Sequence, residues 1–161
     1  MLERLWPNPA RDRGQLGPLT FRLSPAGTDI LLLCARILIG YVFVLGGWGK
    51  LIGLAGFAAY LGQHGVPGGQ ALALLGAAVE FFGGLALIAG FATRYSVLAV
   101  IAFTLVATGI AHRFWEFEAA ARRGQAINFN KNMAMIGGML ALLVAGPGRF
   151  SIDGWLARRR P

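Results

Sequence analysis

The sequence predicts an all-α membrane protein: a four-transmembrane-helix bundle with interfacial segments in its two outer loops. Composition is the first reason, because 56% of the 161 residues belong to the AVILMFWYC set, there are 24 glycines, and only 14% are charged. Soluble domains contain roughly 45–50% of such residues with glycine included, so a soluble globule is excluded. The second reason is that uncharged runs approach the roughly 20 residues that a helix needs to cross about 30 Å of hydrocarbon.

The chain divides into a lead, a membrane domain and a tail. Residues 1–28 are a predicted cytoplasmic lead whose four prolines, Pro25 among them, disfavour helix. Residues 29–147 hold four predicted spans at about 29–49, 71–92, 95–111 and 129–146. The fourth reaches spanning length only by including the polar run around Lys131. Residues 148–161 form a basic tail, predicted to be cytoplasmic.

Two loops on the outer side are long. Residues 51–62 are apolar but too few to cross, which suits an interfacial or re-entrant segment. Residues 112–131 carry Phe114, Trp115 and Phe117 among charged residues, a pattern typical of a helix lying at the headgroup level.

The distribution of cations predicts the orientation. Nine lie in the lead, in the turn after the second span and in the tail, and five lie in the outer loops. By the positive-inside rule both termini are predicted to be cytoplasmic. The nine are Arg4, Arg11, Arg13, Arg22, Arg94, Arg149, Arg158, Arg159 and Arg160, and the five are Lys50, Arg113, Arg122, Arg123 and Lys131.

Arg36 and Glu80 interrupt the first and second spans. An ionisable side chain at mid-bilayer costs about 2.5–3.5 kcal/mol, so both are expected to face protein or water and to have partners. Glu80 lies in a helical stripe of small residues, which allows close helix packing around it. At about 1.5 Å per residue, the two depths differ by a distance that a guanidinium can bridge. The sequence therefore predicts a structural ion pair between Arg36 and Glu80, formed directly or through a water, which either supports chemistry or only fixes helix register.

A pocket is predicted in the outer half of the bundle. Lys50 follows the first span, and His112 ends a polar edge of the third span that also contains Thr104 and Thr108. Asn128 and Lys131 share a face of the fourth span near the same surface. The candidate ligand-binding residues are Arg36, Lys50, Asn128 and Lys131, and the candidate catalytic residues are Glu80 and His112.

The predicted pocket is positively charged with one acid. That chemistry suits an anion, or the carbonyl oxygens of a quinone, which also needs an apolar slot and a proton donor such as His112. No metal site is predicted, because His64 and His112 are the only histidines of the sequence. The single Cys34 excludes an intramolecular disulfide or a CxxC pair.

Four pieces of the sequence carry a family resemblance: RILIGYVFVLGGWGK at 36–50, VEFFGGLALIAGFATR at 79–94, His112, and NFNKNMAMIGGMLALLVAGPGRFSID at 128–153. In this order and spacing they resemble the DoxX family of small bacterial membrane proteins over residues 29–153. The resemblance implies a four-helix bundle in the bacterial inner membrane. Some relatives are associated with quinone-linked sulfur oxidation or with membrane redox and thiol-stress complexes, and no catalytic assignment carries over. The family pattern falls on Arg36, Gly46, Lys50, Glu80, Gly84, His112, Lys131, Gly148, Ser151 and Asp153.

Three functions fit these observations. The first is a redox-associated subunit that binds quinone or a small sulfur-containing anion. Because nothing in the chain holds a flavin, haem or iron–sulfur cluster, such a subunit needs a protein partner with a redox centre. If the protein is an enzyme, it is an accessory membrane subunit of a quinone-linked oxidoreductase. The second is a carrier for a small solute or protons, and the third is a scaffold without chemistry.

The expected partners follow from the same composition. They are the lipid bilayer and the redox protein, and a homo-oligomer is compatible with the sequence. Quinone is the candidate non-covalent cofactor. Nucleic acid is not expected, because the charged fraction is low and uncharged runs dominate.

Overall fold

The computed structural model describes residues 23–159. The predicted lead up to residue 22 and the last two residues of the tail, Arg160 and Pro161, lie outside the described residues. The helices are α1 (Pro25–Ile52), α2 (Leu54–Gln63), α3 (Gly69–Ala89), α4 (Thr93–Ala111), α5 (Ala119–Ala145) and α6 (Ile152–Ala157), with a 3₁₀ turn at Phe114–Glu116. Within residues 23–159 there is no strand, so the all-helical prediction is confirmed there.

Three stretches in the described part of the chain are long and apolar enough to cross a membrane: Pro25–Ile52, Gly69–Ala89 and Thr93–Glu116. They correspond to the first three predicted spans. The helix α5 is 27 residues long but is not one of the three, and its N-terminal half carries polar and charged residues such as Asn128 and Lys131. The predicted fourth span, 129–146, corresponds to the C-terminal part of this helix.

Local sequence explains where α1 begins. The hydroxyl of Ser24 accepts from the Gly27 amide, and Pro25 occupies the first turn of α1. Proline suits that position because its fixed φ fits the helix and its missing N–H is not needed there. The interpretation of Pro25 as a helix-disfavouring residue of the lead was therefore wrong, and the helix starts before residue 29.

The loop after α4 is shorter than the sequence suggests. Only residues 112–118 separate α4 from α5, and they contain a single 3₁₀ turn. The alanine-rich run after Glu118 continues into α5 because alanine has the highest helix propensity. The expected separate helix at the headgroup level over 112–131 is thus absent, and most of that stretch extends α5 instead.

The antiparallel pair α1 and α3 has the closest packing, and glycines make it possible. A Cβ on Gly40 would lie 2.6 Å from the Gly84 carbonyl oxygen, and one on Gly84 would lie 2.8 Å from the Val44 amide nitrogen. A Cβ on Gly47 would overlap the backbone of Phe81. The helix α4 packs on α3, and α5 packs on both α4 and α1. The core between them is formed by Phe43, Leu87, Val97, Val100, Ile101, Met139 and Leu142.

The helices define two ends of the molecule. The terminal end contains the start of α1, the turn at residues 90–92 and α6. The loop end contains the end of α1, the helix α2 and residues 112–118. The helix α2 has ten residues, too few to cross a bilayer, and it packs mainly on α3.

Candidate functional site

At the loop end, Glu80 forms an ion pair with Lys50. Lys50 Nζ lies 2.5 Å from Glu80 Oε2 and donates a hydrogen bond to it. The Lys50 side chain is 32% exposed and that of Glu80 only 10%. An acid in the middle of α3 is therefore neutralised by a lysine that enters from the end of α1.

Gly46 makes room for this pair. In a helix, side chains lean toward the N-terminus, so Lys50 lies over the turn that contains Gly46. A Cβ on Gly46 would lie 2.5 Å from Glu80 Oε1 and 3.8 Å from Lys50 Nζ. The missing side chain at Gly46 thus accommodates the carboxylate against α1.

A cavity of about 660 Å³ lies between α2, α3 and α4 at the loop end. Its wall is almost entirely apolar, and Phe57, Tyr60 and Phe103 supply aromatic rings. Lys50 and His112 both line it, so two of the predicted site residues face one space. The other lining residues are Leu61, Val66, Leu72, Leu75, Gly76, Val79, Ala99, Ala102, Val106, Ala107, Ile110 and Ala111.

The polar edge of α4 faces α5. Thr104 and Thr108 are buried, and each donates to the carbonyl oxygen four residues earlier. Asn132 Nδ2 donates to Thr108 Oγ1 over 2.8 Å. Nδ1 of His112 lies 2.8 Å from Gln125 Oε1. The partners of this polar edge on α5 are therefore Asn132, which binds Thr108, and Gln125, which binds His112.

The residues predicted on the fourth span are not part of the cavity wall. Lys131 is exposed, Asn128 is half-buried, and neither lines the cavity. Gln125 and Asn132, which sequence reasoning missed, lie three residues before and four residues after Asn128. That spacing puts all three on one face of α5, so the seven-residue separation of Gln125 and Asn132 was the available signal.

Arg36 lies at the terminal end, away from this site. It is fully buried, its Nη1 donates to the Ile88 carbonyl oxygen over 3.0 Å, and its Nη2 donates to the Phe150 carbonyl oxygen. The predicted pair of Arg36 with Glu80 is therefore wrong. The antiparallel register places Arg36 beside the last turn of α3, whose carbonyls have no partner within the helix.

Asp153 completes the terminal end. Its carboxylate accepts from the amides of Ala92 and Thr93 over 2.8 and 2.7 Å, and its own amide donates to Gly90. Burial alone raises the pKa of Asp153, but the hydrogen bonds from Thr93 and Ala92 and the positive charge of Arg36 outweigh it and hold the pKa below its usual range. This cluster binds the tail to the start of α4.

The chemistry available at the loop end is that of a mostly apolar cleft whose lining includes the polar groups of Lys50, Tyr60 and His112. Lys50 offers a cation already paired with an acid, and His112 offers an imidazole oriented by Gln125. Within residues 23–159 no three His, Cys, Asp or Glu side chains come together as metal ligands.

Comparison with known proteins identifies the family. The model of the DoxX family matches residues 31–113, more than half of the chain. The chain is 39% identical over 132 residues to the inner membrane protein YqjF of Escherichia coli (strain K12), covering 81% of this chain and 95% of that protein. It is 32% identical over 128 residues to the inner membrane protein YphA of the same organism, covering 80% and 91%. No solved structure matches the chain. The chain belongs to the DoxX family, as the resemblance of its sequence predicted.

Proposed function

We propose that the protein is a membrane subunit that binds a quinone in the cavity between α2, α3 and α4, beside a partner protein that carries a redox centre. The observation that carries the proposal is the cavity of about 660 Å³, with apolar and aromatic walls and with Lys50 and His112 among its polar lining residues. Ligand sites of this size are mostly apolar with a few polar groups that fix orientation.

The wall matches the parts of a quinone. The aromatic side chains suit an offset stack against a flat ring. The Lys50 ammonium has three hydrogens and gives one to Glu80, which leaves donors for a carbonyl oxygen. Nδ1 of His112 faces the amide oxygen of Gln125, to which it donates. Nε2 can then donate to a quinone carbonyl only when the imidazole carries both protons.

A small sulfur-containing anion is less well supported. The charge of Lys50 is already neutralised by Glu80. An anion in the apolar cavity would therefore lose its hydration without a free counter-charge. A quinone is a neutral ring, so its transfer into the cavity does not require the loss of an ion's hydration.

We infer that the site lies within a bacterial inner membrane, because both relatives are named inner membrane proteins. We also infer that α5 is the fourth span. Its 27 residues extend about 40 Å, and it packs on α4 and α1. In the sequence, nine cations lie in the lead, in the turn after the second span and in the tail, against five in the outer loops, which supports cytoplasmic termini.

A leucine at Gly76 tests the proposal. A Cβ there would lie 3.7 Å from Phe103 and 3.9 Å from Phe57, which is ordinary contact, so Gly76→Leu is expected to fold and to fill part of the cavity. The matched control is Gly109→Leu on α4, which is exposed, has no atom within 4 Å of its Cβ position and does not line the cavity.

The measurement is binding of decyl-ubiquinone to the detergent-solubilised protein by thermal shift, with ultraviolet spectra of the organic extract as a check for co-purified quinone. We expect at least a tenfold loss of affinity in Gly76→Leu and wild-type affinity in Gly109→Leu. Equal binding by both variants, or no binding by the wild type, would contradict the proposal. Solute uptake into proteoliposomes that disappears with Glu80→Gln would favour a carrier instead.

A further inference from the structure

The short helix α6 is held at a defined depth. The helix α3 has 21 residues, about 31 Å, which matches the hydrocarbon thickness of about 30 Å. Its end at Ala89 therefore lies near the boundary of the membrane. The Asp153 carboxylate binds the amides of Ala92 and Thr93 in the next turn. These bonds fix α6 at the membrane–water boundary of the terminal end.

One face of α6 is apolar and uncovered. Ile152, Trp155 and Leu156 have the i, i+3, i+4 spacing of one helical face, and together with Phe150 they are 40–52% exposed. Asp153 is turned toward the start of α4, where its charge is compensated by amide hydrogen bonds. The exposed face thus carries apolar side chains and no acid.

Three arginines flank this face. Arg149, Arg158 and Arg159 are exposed. The guanidinium carbon of Arg159 lies 3.9 Å from the centre of the Trp155 ring, and Arg158 donates to the Arg149 carbonyl oxygen. Aromatic side chains beside arginines are typical of surfaces at the lipid headgroup level, where the rings enter the boundary and the cations meet phosphates.

We propose that residues 149–159 form a binding surface for anionic phospholipid headgroups of the membrane, with Phe150, Ile152, Trp155 and Leu156 inserted between them. The charge complements an anionic leaflet, and the position at the end of a membrane-spanning helix puts the surface where headgroups are. This inference does not depend on what the cavity at the loop end binds.

The test is a titration of the full chain in neutral detergent with phosphatidylglycerol or phosphatidylcholine, followed by native mass spectrometry. The variant replaces Arg149, Arg158 and Arg159 by glutamine. Since each cation near an anionic surface contributes about 1 kcal/mol, we expect affinity for phosphatidylglycerol to fall about 100-fold. Affinity for phosphatidylcholine, which lacks net charge, is expected to stay the same.

The control replaces Arg122, Arg123 and Lys131 by glutamine. These residues are exposed and belong to the N-terminal half of α5 at the other end of the molecule. Because three cations are replaced in each variant, the change in net charge is the same. We expect this variant to keep phosphatidylglycerol affinity within threefold of wild type. An equal loss in both variants would overturn the proposal in favour of a general charge effect. Displacement of phosphatidylglycerol by 10 mM inorganic phosphate would overturn it in favour of a site for a soluble anion.

Discussion

Removing either member of the Lys50–Glu80 pair is expected to destabilise the protein, and removing both is expected to cost less than the sum. Lys50→Met leaves the carboxylate of Glu80 without its partner between two tightly packed helices. Because that side chain is 10% exposed, the cost should lie near the low end of the 3–5 kcal/mol measured for broken buried pairs, about 3 kcal/mol. Glu80→Gln leaves a lysine that is 32% exposed and can extend toward the headgroups, which costs about 1 kcal/mol.

The double variant leaves no unpaired charge, so we expect it to lose about 2 kcal/mol and the coupling free energy to be about 2 kcal/mol. The assay is reversible unfolding in mixed micelles by sodium dodecyl sulfate, followed by circular dichroism. The control is the same cycle on Arg113 and Glu116, an exposed pair at 3.2 Å, where coupling of at most about 0.5 kcal/mol is expected. Coupling at Lys50–Glu80 within 0.5 kcal/mol of zero would refute the reasoning.

Two further predictions concern the start of α4 and the packing of α1 against α3. Asp153→Asn weakens the cap of α4 and should lower the free energy of unfolding by about 1–2 kcal/mol. Because the pKa of Asp153 is lowered in the folded state, its contribution is present at neutral pH and is lost as the pH falls below about 4. Unfolding of the wild type followed against pH should show this loss and the Asn variant should not, whereas equal acid sensitivity would contradict it. Gly47→Ala should destabilise by about 3 kcal/mol, because its Cβ overlaps the Phe81 backbone. Gly49→Ala, with open space around it, should stabilise by about 0.5–1 kcal/mol in the same unfolding by sodium dodecyl sulfate, and similar values for the two variants would be the opposing result.

Much of the helical architecture is predictable from the sequence because apolar runs and turn residues determine it. The first three spans correspond to α1, α3 and α4, and the short apolar stretch after Ile52 forms α2. The boundary errors have local causes, as at Pro25, whose preference for a first helical turn competes with its general tendency to break helices. The complete four-span bundle remains a prediction.

The partners of the buried charges are harder to predict, because they depend on helix register. The glycines that allow α1 and α3 to approach were visible in the sequence, but which glycine faces which residue was not. In the observed register Gly46 faces Glu80. Glu80 therefore pairs with Lys50, and Arg36 lies beside Ile88. A depth estimate accurate to one or two helical turns cannot distinguish these pairings.

The polar residues of α5 show a different limit. The sequence indicated a polar edge on α4 and placed Asn128 and Lys131 near the same surface, whereas the hydrogen-bond partners of that edge are Gln125 and Asn132. Hydrogen bonds of Thr108 and His112 are satisfied by amides within reach, whereas a lysine at that level extends to water. The polar edge of α4 is thus satisfied by neutral amide side chains of α5 and not by a charged residue.

The contact between Arg36 and Phe150 has a consequence for the order in which the protein is made. The two residues are 114 positions apart, so the ribosome delivers Arg36 to the insertion machinery long before the carbonyl of Phe150 exists. During that interval the nascent chain holds a charged group that lacks one of its eventual acceptors. A chain that stops before residue 150 never supplies that acceptor, so truncation at the C-terminus is expected to destabilise α1.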